Sequence, residues 1–148
     1  MLRGRFGNTS GRPYVEGRIG LPSLNRWIDV SFCFDTGADA TLLMPVDSIR
    51  LGIDFSDPSY ARKPLYGIGT GVSGIVLDSA ISFRDEDTGE LSIYHVPLFA
   101  ADPCDEIMDA PSLLGRNIIH HWRVLYIGSQ NILEAEMLTA HIKIPVKQ

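Results

Sequence analysis

Residues 34–41 read Phe34-Asp35-Thr36-Gly37-Ala38-Asp39-Ala40-Thr41, and they continue the run Arg26-Trp27-Ile28-Asp29-Val30-Ser31-Phe32-Cys33-Phe34. The alternation in that run predicts a strand with Val30, Phe32 and Phe34 on one face. Such a strand carries the Asp35 carboxylate to the end of a rigid element. Gly37 allows a sharp turn and a close backbone approach just beyond it. Thr36 supplies a hydroxyl for tying one loop to another. The apolar face before Asp35 buries its base and keeps water from screening it. An acid presented in this way is a candidate for general acid or base work.

Working outward, residues 12–20 also alternate and run into Gly20-Leu21-Pro22-Ser23, a turn signal. Segments 12–20 and 26–34 therefore read as a hairpin. Beyond the motif, Thr41–Met44 is a short apolar run. Pro45 can open a helix and Gly52 can end it. Residues 65–76 are Gly-rich in a β-like context. Segments 77–84 and 90–99 read as strands around Glu86-Asp87-Thr88-Gly89-Glu90. Residues 101–112 are acidic and contain Pro, which predicts a loop. Ser112–Asn117 leads into a short helix over 118–122, and Arg123–Ile127 is β-like. Residues 131–138 suit a helix or a strand. His141–Val146 alternates as a terminal strand. Residues 1–11 are polar and Gly-rich and read as a flexible N-terminal arm, followed by a single domain over 12–148. The expectation is an all-β barrel with one or two short helices.

Composition narrows the function classes. The chain has 148 residues, 45% hydrophobic and 21% charged, which is enough for one globular core without staples. The 14 Gly and 9 Pro are scattered, which predicts many turns. A formal charge of -5 argues against nucleic acid as the main partner, since phosphate binding needs a concentrated basic surface. Arg3, Arg5 and Arg12 are the one basic grouping, and a solvated tail accounts for them. Cys33 and Cys104 do not make a disulfide framework, and no Cys-x-x-Cys is present to hold zinc. The start carries no apolar signal-peptide segment, and no apolar run is long enough to span a bilayer. These features predict a soluble, cytoplasmic protein without membrane contact.

Three blocks in order resemble those of the retropepsin-like aspartic peptidases, single-domain relatives of pepsin. They are FDTGADAT at 34–41, the glycine-rich YGIGTGVSG at 66–74 and LLGRNII at 113–119. The resemblance implies a retropepsin-like barrel that needs no cofactor or metal and acts on peptide or protein substrates. Asp35, Thr36 and Gly37 would be the catalytic motif. Ala38, Asp39 and Ala40 would line the substrate, and Gly67, Ile68, Gly69, Thr70 and Gly71 would form a flap above it. Asp39 would pair with Arg116. Arg12 would reach across a dimer interface, with Arg18 as the competing candidate. Residues 141–146 would supply a dimer-sheet strand. Ala40 stands where viral members often carry a second acid. Residues 1–11, 20–26 and 77–112 are longer than in typical viral members.

Pepsin-like catalysis needs two carboxylates. The second Asp-Thr-Gly, at 87–89, is flanked by Arg84, Asp85, Glu86 and Glu90 instead of an apolar strand, and it reads as a hairpin turn. A second lobe does not fit in this length. The second carboxylate would therefore come from another copy, giving a homodimeric endopeptidase. The alternative is a catalytically silent module that binds a peptide or protein. Other patterns carry less. Gly69–Gly74 fits G-x-G-x-x-G, but no helical pattern follows. His120 and His121 are adjacent and make a poor metal pair, and His95 sits within a predicted strand. Asp102, Asp105, Glu106 and Asp109 lack calcium-loop spacing. Trp27 and Trp122 read as core or interface anchors, and Cys33 as a small core residue.

Overall fold

The computed structural model describes residues 1–65 and 72–147. Two long antiparallel pairs form its frame. The first joins β3 (Pro13–Leu21) to β4 (Arg26–Phe34), with Tyr14 opposite Cys33 and Leu21 opposite Arg26. The alternation predicted for both strands is observed. Val15, Ile19, Val30 and Phe32 point inward and are buried. Asn25, in the left-handed region at φ 50°, closes the connection. The second pair joins β7 (Ser73–Arg84) to β8 (Leu91–Ala101), in register from Gly74–Ala101 to Arg84–Leu91. Its connection contains Asp87-Thr88-Gly89, which is a hairpin turn as read.

The short strands β5 (Leu42–Leu43) and β9 (Leu113–Leu114) close the ring. Hydrogen-bonded neighbours run β8-β5-β9-β4-β3-β7 and return to β8, a closed barrel of six strands. Closure leaves no free edge in that ring. β2 (Arg5–Phe6), β6 (Ala61–Pro64) and β12 (Ile142–Ile144) add to β3, β7 and β8 from outside. A separate sheet holds β1 (Leu2–Arg3), β11 (Ile132–Met137) and β10 (Trp122–Ile127) in the order β1-β11-β10. The two helices are α1 (Pro45–Leu51), ended by Gly52 at φ 65°, and the single turn α2 (Arg116–Ile119). α2 stops three residues short of the predicted helix end. Trp122 belongs to β10, where its side chain is buried.

The aromatic core ties the barrel to the second sheet. Phe83 and Trp122 meet edge to face at 4.9 Å. Trp122 Nε1 donates to Tyr94 Oη at 2.8 Å, and Tyr94 Oη donates to the Thr139 carbonyl at 2.8 Å. Burying a ring of this size contributes about 2–3 kcal/mol, and the hydrogen bonds remove the cost of burying the polar tips.

Three expectations are corrected. Residues 1–11 are not a loose arm: β1 pairs with β11, β2 pairs with β3, and Leu2 is buried against the core. Leu2, the partly buried Phe6, a ladder of backbone bonds and the Arg3–Asp87 pair hold the segment. Of the two readings of Trp27, core or interface anchor, the core one is overturned, since Trp27 stands on the outer face of β4 and is 59% exposed. Cys33 is half-buried on that same outer-facing parity and is not a core residue. The undecided segment 131–138 forms β11. The terminal strand expected within 141–146 is β12, and it pairs with β8 of its own chain.

Candidate active site

Asp35 emerges where β4 leaves the barrel beside β9. The two strands run parallel, with Cys33 opposite Leu113 and Phe34 opposite Leu114. The Cys33 amide donates to the Ser112 carbonyl at 2.8 Å, and the Asp35 amide to the Leu114 carbonyl at 3.1 Å. The backbone of Asp35 is thereby held by a neighbour some eighty residues distant. Its side chain is held too, because the Gly37 amide donates to Asp35 Oδ1 at 2.8 Å. The carboxyl itself is half-buried and faces an open cleft.

The loop after Asp35 is fastened to the segment 115–117. Arg116 donates its amide to the Ala38 carbonyl at 2.8 Å and its guanidinium to the Thr36 carbonyl at 2.7 Å. The other guanidinium nitrogen pairs with the Asp39 carboxylate. That pair is solvent-facing, and its contribution to stability is small. Its value lies in fixing a loop end. Thr41 is fully buried and makes the firmest tie. Its amide and hydroxyl both donate to Asn117 Oδ1, at 3.0 and 2.9 Å, and its oxygen accepts the Gly115 amide at 3.2 Å. Gly115 is required for space, because a Cβ there would lie 2.3 Å from the Ala40 carbonyl carbon. A buried relay supports the loop from below. The Met44 amide donates to Ser112 Oγ at 3.0 Å, and Ser112 Oγ donates to Asp47 Oδ2 at 2.6 Å.

The cleft holds about 320 Å³. Asp35, Gly37, Ala38, Asp39 and Ala40 form one side, and Leu42, Pro64, Leu65, Phe99 and Leu113 complete it. The five in the second group were not anticipated, nor was the tie through Asn117. A leucine or phenylalanine in a strand signals core, and nothing local marks it as a cleft wall. The predicted flap residues Gly67, Ile68, Gly69, Thr70 and Gly71 lie outside the described residues. The strands on either side are paired, with Pro64 opposite Ser73, and the Leu65 amide donates to the Val72 carbonyl at 3.0 Å.

Asp39 and Arg116 are brought together, whereas Arg12 is not part of that contact. Arg12 is exposed at the start of β3, and among the described residues it has no carboxylate partner. Burial pushes the Cys33 thiol up; the nearby Arg12 guanidinium opposes this, and the Asp35 carboxylate adds to it. Arg18 pairs with Asp29 across β3 and β4 at 2.8 Å, away from the cleft. Among the described residues there is no His, Cys, Asp or Glu group suited to a metal, and no helix long and apolar enough to cross a membrane.

The fold is retropepsin-like. A retropepsin-like aspartic protease from Rickettsia conorii superposes with a TM-score of 0.57 at 15% identity, over 91% of this chain and 90% of that one. The EIAV protease in complex with an inhibitor aligns with a TM-score of 0.45 at 18% identity, over 77% of this chain and 90% of that one. The fold assignment rests on the first of these and on the barrel topology. No protein-family model and no curated protein sequence matches the chain.

Proposed function

We propose that the chain is one half of a homodimeric aspartic endopeptidase. Asp35 of each copy would form the catalytic pair, with Thr36 and Gly37 shaping the turn that presents it. The observation that carries this reading is an Asp35 carboxyl fixed by the Gly37 amide and facing a cleft with an apolar wall. Two carboxylates a hydrogen bond apart do not both ionise cheaply, so they share one proton. The ionised partner takes a proton from a water held between them. The water oxygen bonds to the peptide carbonyl carbon as the protonated partner gives its proton to the carbonyl oxygen. Collapse of the tetrahedral intermediate breaks the C–N bond, and the nitrogen leaves with a proton. Titration belongs to the pair, and the rate profile is bell-shaped on the acid side of neutrality.

In this reading Ala38, Asp39 and Ala40 meet the substrate main chain. Residues 67–71, which lie outside the described residues, would be the flap that excludes water. Arg116 keeps Asp39 in place. The test is cleavage of a mixed peptide library across pH ~4–7, with the parent chain and Asp35→Asn side by side. Cleavage that disappears in Asp35→Asn and with a statine-type inhibitor is the expected result. A verified dimer that cuts nothing but still binds peptide would replace the peptidase with a silent binding module. A fully active monomer would refute the shared pair.

A further inference from the structure

The cleft has one wall whose chemistry is not symmetric about charge. Phe99 lines it together with Leu42, Leu65 and Leu113. Above that wall, Lys63 Nζ lies 5.5 Å from the centroid of the Phe99 ring. This is within cation–π range. Side chains alternate along β6 and its continuation, so Lys63 and Leu65 share a face. Arg62 is committed elsewhere: it pairs with Asp102, which also accepts Ser73 Oγ at 2.7 Å. Among the described residues Lys63 has no carboxylate partner. Of the two acids in the cleft, Asp39 is neutralised by Arg116.

An apolar wall with an ammonium set against its Phe99, and without a carboxylate partner among the described residues, fits a side chain with a methylene stem and an anionic tip. We infer that Lys63, seated on Phe99, selects peptide substrates carrying glutamate at the subsite this wall forms. The inference rests on the reading of the cleft as a peptide site. The glutamate stem covers Phe99 and Leu65, and its carboxylate meets the ammonium. A twofold dimer repeats the subsite, so the preference falls at two positions related across the scissile bond. Lys63 is exposed, which limits a pair there to a roughly two- to fivefold effect, weaker in high salt.

Matched peptides with Glu, Gln or Lys at each position flanking the scissile bond test this. Cleavage is measured with the parent chain and Lys63→Glu, and binding with Asp35→Asn and with Asp35→Asn combined with Lys63→Glu. The expected result is a two- to fivefold preference for Glu over Gln, reversed toward Lys when Lys63 becomes Glu. Cleavage without that preference, or a preference that Lys63→Glu leaves unchanged, overturns the inference and spares the peptidase reading. Glu-selective binding without cleavage by the parent chain overturns the peptidase reading and sustains the inference. Neither cleavage nor binding removes both.

Discussion

Replacing Gly115 by alanine tests the contact on which the candidate site is built. The added methyl group would lie 2.3 Å from the Ala40 carbonyl carbon, 2.4 Å from its oxygen and 2.8 Å from the Thr41 nitrogen. All three are backbone atoms, so no side chain can swing aside. Carbon atoms pack at about 3.5–4.0 Å, so the loop 35–41 has to retreat from β9 by roughly 1 Å or more. That retreat strains the Arg116–Ala38 bond at 2.8 Å and the Gly115–Thr41 bond at 3.2 Å. Overpacking of this kind costs about 1–3 kcal/mol, and each weakened bond adds about 1 kcal/mol. Reduced freedom of the unfolded chain returns about 0.4–1 kcal/mol. The expected net loss is about 2–4.5 kcal/mol, measured as a lower urea midpoint at unchanged slope. Gly20→Ala is the control, because its methyl would meet only the Ala80 carbonyl oxygen, at 3.5 Å. With no clash to offset the reduced freedom of the unfolded chain, it should stabilise the fold by about 0.4–1 kcal/mol. If Gly115→Ala matched this control and kept full peptide binding, the account of the loop junction would be wrong.

Ser112→Ala removes the centre of the buried relay, leaving the Met44 amide and Asp47 Oδ2 without that partner, while Arg50 still holds Asp47 Oδ1 at 3.1 Å. A loss of about 2–4 kcal/mol in urea unfolding is expected, and a value under about 0.5 kcal/mol would show the relay to be redundant. Asp85 gives a pH signature. Burial alone would raise its pKa, but the Met1 ammonium and the Thr88 and Asp87 amides outweigh it and hold the pKa at about 2, against the ordinary 3.8. A depressed acid stabilises the fold above its unfolded pKa and loses that contribution as pH falls through the folded one. Asp85→Asn should therefore cost about 1 kcal/mol at neutral pH after solvent screening. The cost should shrink between pH 3.8 and about 2, and a pH-independent difference would point to a packing defect instead.

Much of the frame was legible because its signals are local. The β3–β4 hairpin follows from period-two alternation, and the same alternation already assigns Trp27 to the face of Asp29 and Ser31, away from Val30 and Phe32. α1 is bracketed by Pro45 and Gly52, which act through their own φ angles. In β11, Leu133, Ala135 and Met137 alternate with Glu134 and Glu136, a strand pattern that an i, i+4 reading obscures.

The sequence by itself determined the strand that carries Asp35, the turn after it and the helix stop at Gly52. Each depends on a residue's own conformational range or on a period of two. Tertiary structure alone decided the rest. Leu2 is buried because Ala135 lies opposite it across β1 and β11, a pairing between the two ends of the chain. The cleft wall draws Leu42, Leu65, Phe99 and Leu113 from four separate segments, and Lys63 acquires a role only when β6 is laid beside β7 above Phe99. Local pattern shows that a side chain is apolar or charged. Only closure of the barrel shows whether it faces the core, the solvent or the cleft, because that is settled by contacts between residues far apart in sequence.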